Sequence, residues 1–488
     1  MKKIIFSVAA LMICGVTFGQ VAGSKQATAV APLAGAPATA NAGESYQNGN
    51  DHKVQVRQAG TMQSVFTDQN DGGGLGGNLA SVTQTGMVTG NTPNSGQLNL
   101  ASVNQSGTAN ESSTWQQGDR NNARTDQGQT DDESLSNKAR IQQGNANNAE
   151  DNFAYIEQDG ERNQATSFQT YDNSESFIDQ DGNDNEARVR QIAAPENSDG
   201  HSGFIEQDGD ENGSQIRQDG EGARNVAESR QDGEGNQSKQ LQTNSASAGG
   251  AVNTAISDQG SLGGGGGYIS SPDAGNNSGT IASMSTNGVD LGPDVDSDNG
   301  IVFQTQTGTG DYAFARQHGN DTPNYAEQVQ SGGSGNVATI TQDSQQDVST
   351  DLNYAKQVQV GSDNNVGLFQ TESGNKADQR QNGSSNNALA LQDGDHNLLN
   401  TKQTGASNDL FSEQYGSFDA ALLVQDAGQS YFASQGATVA GANNQIDVLQ
   451  QGPSGTLVQE ECSFDLPMAP MPIQDVPTLT IGDICPDC

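Results

Sequence analysis

Polar and apolar residues alternate in short segments of this chain, and these segments recur along most of its length. In residues 185–191, Asn, Ala, Val and Gln take every second position, with charged residues between them. Successive side chains of a β-strand point to opposite faces, so the pattern predicts a strand that buries Asn, Ala, Val and Gln. A short arc follows and usually has glycine two residues after the Gln, as at Gly160 and Gly383. Glycine favours a turn there because it lacks a Cβ.

The interval between these segments is most often eleven residues. Following the register gives 30 units, 17 from Gln47 to Gln259 and 13 from Gln306 to Gln450, and Asn lies six residues before the Gln in 22 of them. A fixed period is typical of repeat architectures. It argues against a disordered Gln/Asn-rich tract, which needs no fixed phase. The longest run with an unbroken interval of eleven comprises Gln359, Gln370, Gln381, Gln392, Gln403, Gln414 and Gln425.

A single seven-residue strand cannot bury its apolar side chains, so the units must stack on one another. Stacking at roughly 4.7–4.8 Å also lets identical Asn and Gln side chains pair in ladders, which removes the cost of burying their amides. Extra residues fall in the arcs and leave the strands at seven residues, as loops of a solenoid tolerate. The sequence therefore predicts an all-β solenoid of stacked strand–arc–strand rungs, with two half-repeats of about 11 residues per rung.

The motif Gln-x-Gly-x-x-Asn-x-Ala-x-x-x-Gln resembles the curlin repeat of curli fimbrial subunits. It is intact at residues 116–127, 158–169, 180–191 and 381–392. The resemblance implies that the inward Gln and Asn form the stacking ladders. Applied along the register, it assigns that structural role to Gln158, Asn163, Gln169, Gln180, Asn185, Gln191, Gln359, Asn364, Gln370, Asn375, Gln381, Asn386, Gln392, Asn397, Gln403, Asn408, Gln414 and Gln425.

The resemblance also implies a function. Curli subunits self-associate into extracellular amyloid fibres that contribute to the biofilm matrix and to adhesion. They are secreted through an outer-membrane pore and depend on a nucleator subunit at the cell surface. Thirty half-repeats would make about fifteen rungs, about 70 Å long, which is longer than familiar curlins. The alternative is a long monomeric β-solenoid that serves as a surface adhesin or binding scaffold.

The composition changes along the chain and predicts six segments. Lys2 and Lys3, followed by an apolar stretch and small residues before Gln20, indicate a secretory signal peptide. Lipidation at Cys14 is the less favoured alternative, because the preceding Ile is bulky. No later apolar stretch is long enough to span a membrane. The segments are a signal peptide (1–19), an Ala/Pro-rich segment (20–40), a first repeat block (41–259), a Gly/Ser/Asn/Asp-rich linker or degenerate repeat (260–300), a second repeat block (301–451) and a Pro/Cys-containing tail (452–488).

Charge narrows the possible partners. The chain has 60 acidic and 21 basic residues, a formal net charge of −39, and only 31% hydrophobic residues. A nucleic acid needs a basic surface, and an anionic membrane would repel this chain, so neither is expected as a partner. The low apolar content also argues against a conventional enzyme core.

Candidate sites for other chemistry are weak. Asp294, Asp296 and Asp298 resemble the start of a calcium loop, but the spacing of the following residues does not fit an EF-hand. The four histidines are far apart and occupy repeat or arc positions. We therefore expect no catalytic residue, no cofactor and no metal centre beyond that weak calcium candidate. In an exported chain, a disulfide is possible among the tail cysteines Cys462, Cys485 and Cys488.

Overall fold

The computed structural model describes most of the repeat region. The predicted signal peptide (1–19), almost all of the segment 20–40 and all of the tail (452–488) lie outside the described residues. The residues described are 40–71, 76–85, 97–128, 134–144, 149–194, 198–220, 222–260, 297–319, 324–344, 352–435 and 444–451.

Every regular element within these ranges is a β-strand, as the alternating pattern predicts. Most strands have six to ten residues, and each except β9 ends near a repeat glutamine. The strands are β1 (Ala42–Asn48), β2 (Lys53–Gln58), β3 (Ser64–Asn70), β4 (Leu79–Thr85), β5 (Leu100–Ser106), β6 (Glu111–Asp119), β7 (Asn122–Gln127), β8 (Lys138–Gln143), β9 (Ala149–Glu150), β10 (Phe153–Gln158), β11 (Gln164–Thr170), β12 (Glu175–Asp181), β13 (Glu186–Ile192), β14 (Ser202–Asp210), β15 (Gly213–Gly220), β16 (Asn225–Glu234), β17 (Gln237–Asn244), β18 (Asn253–Gln259), β19 (Ile301–Gln306), β20 (Tyr312–His318), β21 (Tyr325–Ser331), β22 (Val337–Asp343), β23 (Tyr354–Ser362), β24 (Asn365–Thr371), β25 (Lys376–Ser384), β26 (Asn387–Gln392), β27 (Leu398–Ala406), β28 (Asp409–Gln414), β29 (Ala420–Asp426), β30 (Ser430–Gln435) and β31 (Gln445–Gln451).

Apart from the short β9, strands that follow each other in the chain belong to opposite sheets. The first sheet is stacked in the order β1-β3-β5-β7-β10-β12-β14-β16-β18-β20-β22-β24-β26-β28-β30. The second follows β2-β4-β6-β8-β11-β13-β15-β17-β19-β21-β23-β25-β27-β29-β31, with the short β9 paired to β6 beside this path. Each rung is thus one strand, an arc and a second strand, and fifteen rungs are stacked. The predicted all-β solenoid with two half-repeats per rung is confirmed.

All strand pairs are parallel, and each repeat glutamine lies opposite the glutamine of the next rung. Gln158 is opposite Gln180, and Gln359 is opposite Gln381. Insertions do not disturb this register. A long segment separates β4 from β5, yet β4 still pairs with β6 so that Gln84 lies opposite Gln116. In-register stacking is needed here because a slip of one residue would turn every buried side chain outward.

The core lies between the two sheets and consists of small and aliphatic side chains. Alanines four residues before the ladder glutamine are fully buried, as are larger residues two positions before it, such as Ile178, Ile205 and Leu368. Alternating small and large side chains let the sheets approach closely. The two repeat blocks are continuous with each other, because β17 pairs with β19 and β18 with β20 across the segment 261–296.

The arcs use two residues with left-handed backbone per turn. One is the expected glycine, such as Gly182, with φ at 109°. A Cβ on Gly182 would lie 2.1 Å from the carbonyl oxygen of Gly209 in the next rung. The other is the last arc residue, for example Arg162 (58°) and Asp184 (56°), where the sequence shows no preferred residue type. Among the described residues, no helix is long and apolar enough to span a membrane.

Candidate functional site

Two continuous columns of glutamine run the length of the solenoid, one from each sheet. In both columns the Nε2 of each glutamine donates to the Oε1 of the glutamine in the next rung, at 2.7 to 3.0 Å. We call these the first-sheet and second-sheet ladders. All donors point towards the C-terminal end, so both ladders have the same direction.

Each ladder glutamine after Gln47 also bonds across the core, and this bond fixes the orientation of its amide. Gln381 Nε2 donates to Gln403 Oε1 at 2.8 Å and to the backbone carbonyl of Asn365, on the facing sheet, at 2.8 Å. A flipped amide would place an oxygen against that carbonyl. Both Nε2 hydrogens and the Oε1 of such a glutamine therefore have hydrogen-bond partners. This explains why a buried glutamine is tolerated.

In the asparagine column, the side chains bond to backbone groups of neighbouring rungs and not only to each other. Asn163 Oδ1 accepts the backbone N–H of Asn185, one rung further, at 3.0 Å. Its Nδ2 donates to the carbonyl of Gly182 in the next arc, at 2.8 Å. Direct amide contacts occur in part of the column, as from Asn386 Nδ2 to Asn364 Oδ1 at 3.0 Å. The asparagines therefore hold the start of each strand and the preceding arc in register.

The residues that the resemblance assigns to the ladders lie in these columns. Each of them is at most 2% exposed, and each has a hydrogen-bond partner in an adjacent rung. The set comprises Gln158, Asn163, Gln169, Gln180, Asn185, Gln191, Gln359, Asn364, Gln370, Asn375, Gln381, Asn386, Gln392, Asn397, Gln403, Asn408, Gln414 and Gln425.

A third glutamine ladder lies in the second sheet, two residues before the second-sheet ladder. It replaces the apolar core position over five rungs, with Nε2–Oε1 distances of 2.8 to 3.0 Å. The sequence analysis did not identify it. The signal is a Gln-x-Gln pattern in every second unit, which becomes visible only when alternate units are compared. The members are Gln240, Gln304, Gln328, Gln357 and Gln379.

We expect Gln328→Leu to lower the stability of the solenoid by about 2–5 kcal/mol. The change leaves a donor hydrogen of Gln304 and the oxygen of Gln357 buried without a partner, at about 1–3 kcal/mol each. Replacing all five ladder members with Leu removes the unpaired groups and should restore most of the loss. The measurement is the denaturation midpoint of both variants. A single variant as stable as the wild type would show that the third ladder is not a paired column.

Two histidines take the place of asparagine in the columns. In each, the ring Nδ1 accepts the backbone N–H that an asparagine Oδ1 accepts elsewhere in the column. The Nδ1 of His201 accepts the backbone N–H of Asn225 at 3.2 Å, and its Nε2 lies 3.1 Å from the carbonyl of Ile192. His52 Nδ1 accepts the N–H of Asn78 at 3.3 Å in the same way. The Nδ1 contact of His201 requires a neutral ring, because a protonated Nδ1 cannot accept, and burial lowers the pKa of His201 to about 4.

Acid should therefore weaken the rung around His201. Its pKa is about 4 when folded and about 6.5 when unfolded, so the unfolded chain binds more protons as the pH falls between these values. Stability is lost on acidification through this window, by up to about 3 kcal/mol. His201→Asn should remove this component. Hydrogen exchange of the Asn225 amide at pH 7 and pH 4 measures it, and an equal acid response in both proteins would contradict the assignment.

Of the other residues singled out by the sequence, the structure describes Asp298. Asp298 Oδ1 accepts the backbone N–H of Glu234 at 3.0 Å, while Asp294 and Asp296 lie outside the described residues. Over the part of the chain that the structure describes, no group of three or more His, Cys, Asp or Glu side chains is placed to hold a metal ion. The tail cysteines Cys462, Cys485 and Cys488 also lie outside it.

The outward positions of the two sheets carry opposite charge. On the first sheet, eleven carboxylates accompany three arginines; we call this outer surface the acidic face. On the second sheet, twelve basic side chains accompany five carboxylates; this is the basic face. The acidic face has Glu44, Asp68, Asp126, Glu157, Glu175, Asp179, Glu206, Glu228, Asp258, Asp409 and Glu413, with Arg124, Arg230 and Arg316. The basic face has Lys53, Arg57, Lys138, Arg140, Arg188, Arg190, Arg217, Lys239, Lys356, Lys376, Arg380 and Lys402, with Glu111, Glu186, Glu327, Asp378 and Asp447.

Outward aromatic residues stack between rungs, another feature that the sequence analysis missed. The rings of Phe177 and Phe204 are 5.0 Å apart and nearly parallel, and Tyr155 packs edge-on against Phe177 at 5.2 Å. On the second sheet, Tyr325 and Tyr354 stack at 5.1 Å. These contacts join residues in alternate units and stiffen the stack from outside.

Both ends of the described solenoid are open. The first rung pairs only with the second, and the last only with the one before it. At the C-terminal end, Gln435 Nε2 bonds to the carbonyl of Ala420 in the preceding rung and Gln450 Nε2 to that of Ser430 in its own rung, which leaves one hydrogen of each amide directed outward. At the N-terminal end, Gln47 and Gln58 present Oε1 acceptors to which no described residue donates. The two ends are therefore complementary in hydrogen bonding.

One comparison with known proteins identifies the repeat. Residues 149–192 match the family model described as the curlin associated repeat. This segment is therefore similar to a curlin repeat. It comprises β9–β13 and contains six of the ladder residues assigned from the sequence, so the resemblance is confirmed over this stretch. A search of curated proteins found no match.

Proposed function

We propose that the chain is a secreted structural subunit of a curli-type, amyloid-like extracellular fibre, contributing to matrix, adhesion and biofilm. The observation that supports this most strongly is the pair of open, complementary ends. Stacking a second copy on the first would extend both glutamine ladders from Gln435 to Gln47 and from Gln450 to Gln58, with unchanged direction. Parallel edges with unpaired backbone groups are templates for further strands.

The end rungs also offer apolar surface that suits such a junction. Val448 in the last rung and Val56 in the first occupy the same inward position of the second sheet, and Val56 is 37% exposed. Burying them against each other continues the core. The proposed role is non-catalytic. Secretion by an outer-membrane pore and dependence on a nucleator subunit at the cell surface are part of the proposal through the curlin repeat.

We expect Val448→Lys to stop elongation while leaving the monomer folded. A charge at this inward position is solvated in the single molecule but becomes buried when another copy stacks on it. Leu449→Lys is the matched control, because Leu449 is on the same strand, 50% exposed, and faces outward. The measurements are thioflavin fluorescence, electron microscopy for fibre length, and circular dichroism for the monomer.

The result separates the two candidate functions. Fibres from the wild type and Leu449→Lys but not from Val448→Lys support end-to-end assembly. Equal elongation by both variants would contradict the proposed junction. A wild type that remains a single rod of about 70 Å would favour the monomeric adhesin or scaffold. In-register carboxylates such as Asp181 and Asp208 repel each other and oppose assembly. This repulsion is the observation that favours the monomeric adhesin or scaffold.

A further inference from the structure

We propose that two copies of this chain associate side by side, the acidic face of one against the basic face of the other. The inference goes beyond end-to-end stacking, because it concerns the outer surfaces of the sheets and also applies to single solenoids. The proposal rests on the opposite charge of the two faces.

The charges are concentrated on the same rungs of the two sheets. On the acidic face, Glu157, Asp179 and Glu206 are direct neighbours in three successive strands. On the basic face, Arg190 and Arg217 are direct neighbours over part of this stretch. Like charges in register repel each other, so each face is destabilised by its own ladder. An opposing face with the same rung spacing relieves the repulsion on both sides.

Part of the basic face has no carboxylate partner among the residues that the structure describes. Arg188 and Arg190 contact no described carboxylate, and Arg190 instead lies over the ring of Phe168 at 5.8 Å. The pKa of Arg188 is lowered by burial and by the charge of Arg190. These guanidinium groups have donors available for a carboxylate from outside, which arginine binds in bidentate geometry.

The faces are large enough for a stable contact. Fifteen strands of about seven residues give roughly 1,600 Å² of sheet per face, at about 4.8 Å between strands and 3.3 Å per residue. A standard protein interface buries about 800 Å² on each partner. A second copy of the chain supplies the complementary charge, the matching rung spacing and a surface of equal length.

A charge-swap experiment tests the pairing. One variant reverses the charge of a patch of the basic face with Arg188→Glu and Arg190→Glu, and the other reverses a patch of the acidic face with Glu157→Lys and Glu206→Lys. Each alone should lose lateral association, so that bundles become single filaments or single rods at low salt. An equimolar mixture should restore bundles. The negative patch made on the basic face of one variant then meets the positive patch made on the acidic face of the other. The control is Arg120→Glu with Arg162→Glu, which reverses two exposed arginines in the arcs.

Filament width by electron microscopy and cross-section by X-ray scattering are the measurements. Length reports end-to-end stacking separately, so failure of one proposal does not affect the other. Unchanged width in either variant, or a mixture that stays single, would overturn the inference. Loss of dextran sulfate binding by the Arg188/Arg190 variant with unchanged width would also overturn it and would assign the basic face to an anionic polymer. Raised salt should release wild-type bundles.

Discussion

Gln381→Lys combined with Asn386→Lys should prevent the second block of rungs from folding. Both residues are at most 2% exposed, and their amides bond to the rungs on either side. A buried ammonium without a counter-charge costs several kcal/mol, and the broken partners add to that cost. Each rung contacts only its neighbours, so the damage should spread from this position towards both ends. Circular dichroism and fibre yield are the measurements.

The control for this variant comes from the same strand and arc. Asn382 and Ser384 are both exposed, and changing both to Lys adds the same charge without burying it. Equal loss from the two pairs would show that the ladders are not the interior of the fold.

Gly383→Ala should have a comparable effect for a different reason. A Cβ on Gly383 would lie 1.7 Å from the carbonyl oxygen of Gly405 in the next rung, and φ at 134° is unfavourable for alanine. The backbone cannot yield there without separating the rungs, so we expect a loss of more than about 3 kcal/mol. Gly249→Ala is the matched comparison, because Gly249 also has positive φ but no atom lies within 4 Å of the added Cβ.

The measurement is the denaturation midpoint of the two alanine variants. A small loss in Gly249→Ala gives the cost of a backbone at φ 75°, and the excess in Gly383→Ala combines the contact between arcs with the less favourable φ of 134°. Equal losses would show that the spacing of the arcs does not require glycine.

The repeat period was sufficient to predict the unit. The alternation around residues such as Ala187 and Val189 gave the strand and its buried face, and the recurring glycine gave the arc. The inward Gln and Asn followed from the need to pair buried amides. The second left-handed residue of the arc was not predictable, because Arg162, Asp184 and Ser385 share that conformation but no side-chain chemistry. It is imposed by stacking rather than by local preference.

The features missed at the sequence level have one physical cause. Successive units belong to opposite sheets, so contacts between rungs join every second unit. When the units are compared in chain order, Gln328 and Gln357 interrupt an apolar pattern, and Phe177 and Phe204 are isolated aromatic residues. When alternate units are compared, each pair forms a column. The opposite charges of the two faces are hidden in the same way under a net charge of −39.

Electron cryomicroscopy of the assembled wild-type chain tests the central claim most directly. The account predicts a filament with rungs about 4.8 Å apart, a chain repeat of about 70 Å or slightly more, and glutamine ladders that continue through the junction from Gln450 to Gln58. Rods of one chain length that never join, or filaments whose strands pair out of register at the glutamines, would contradict it.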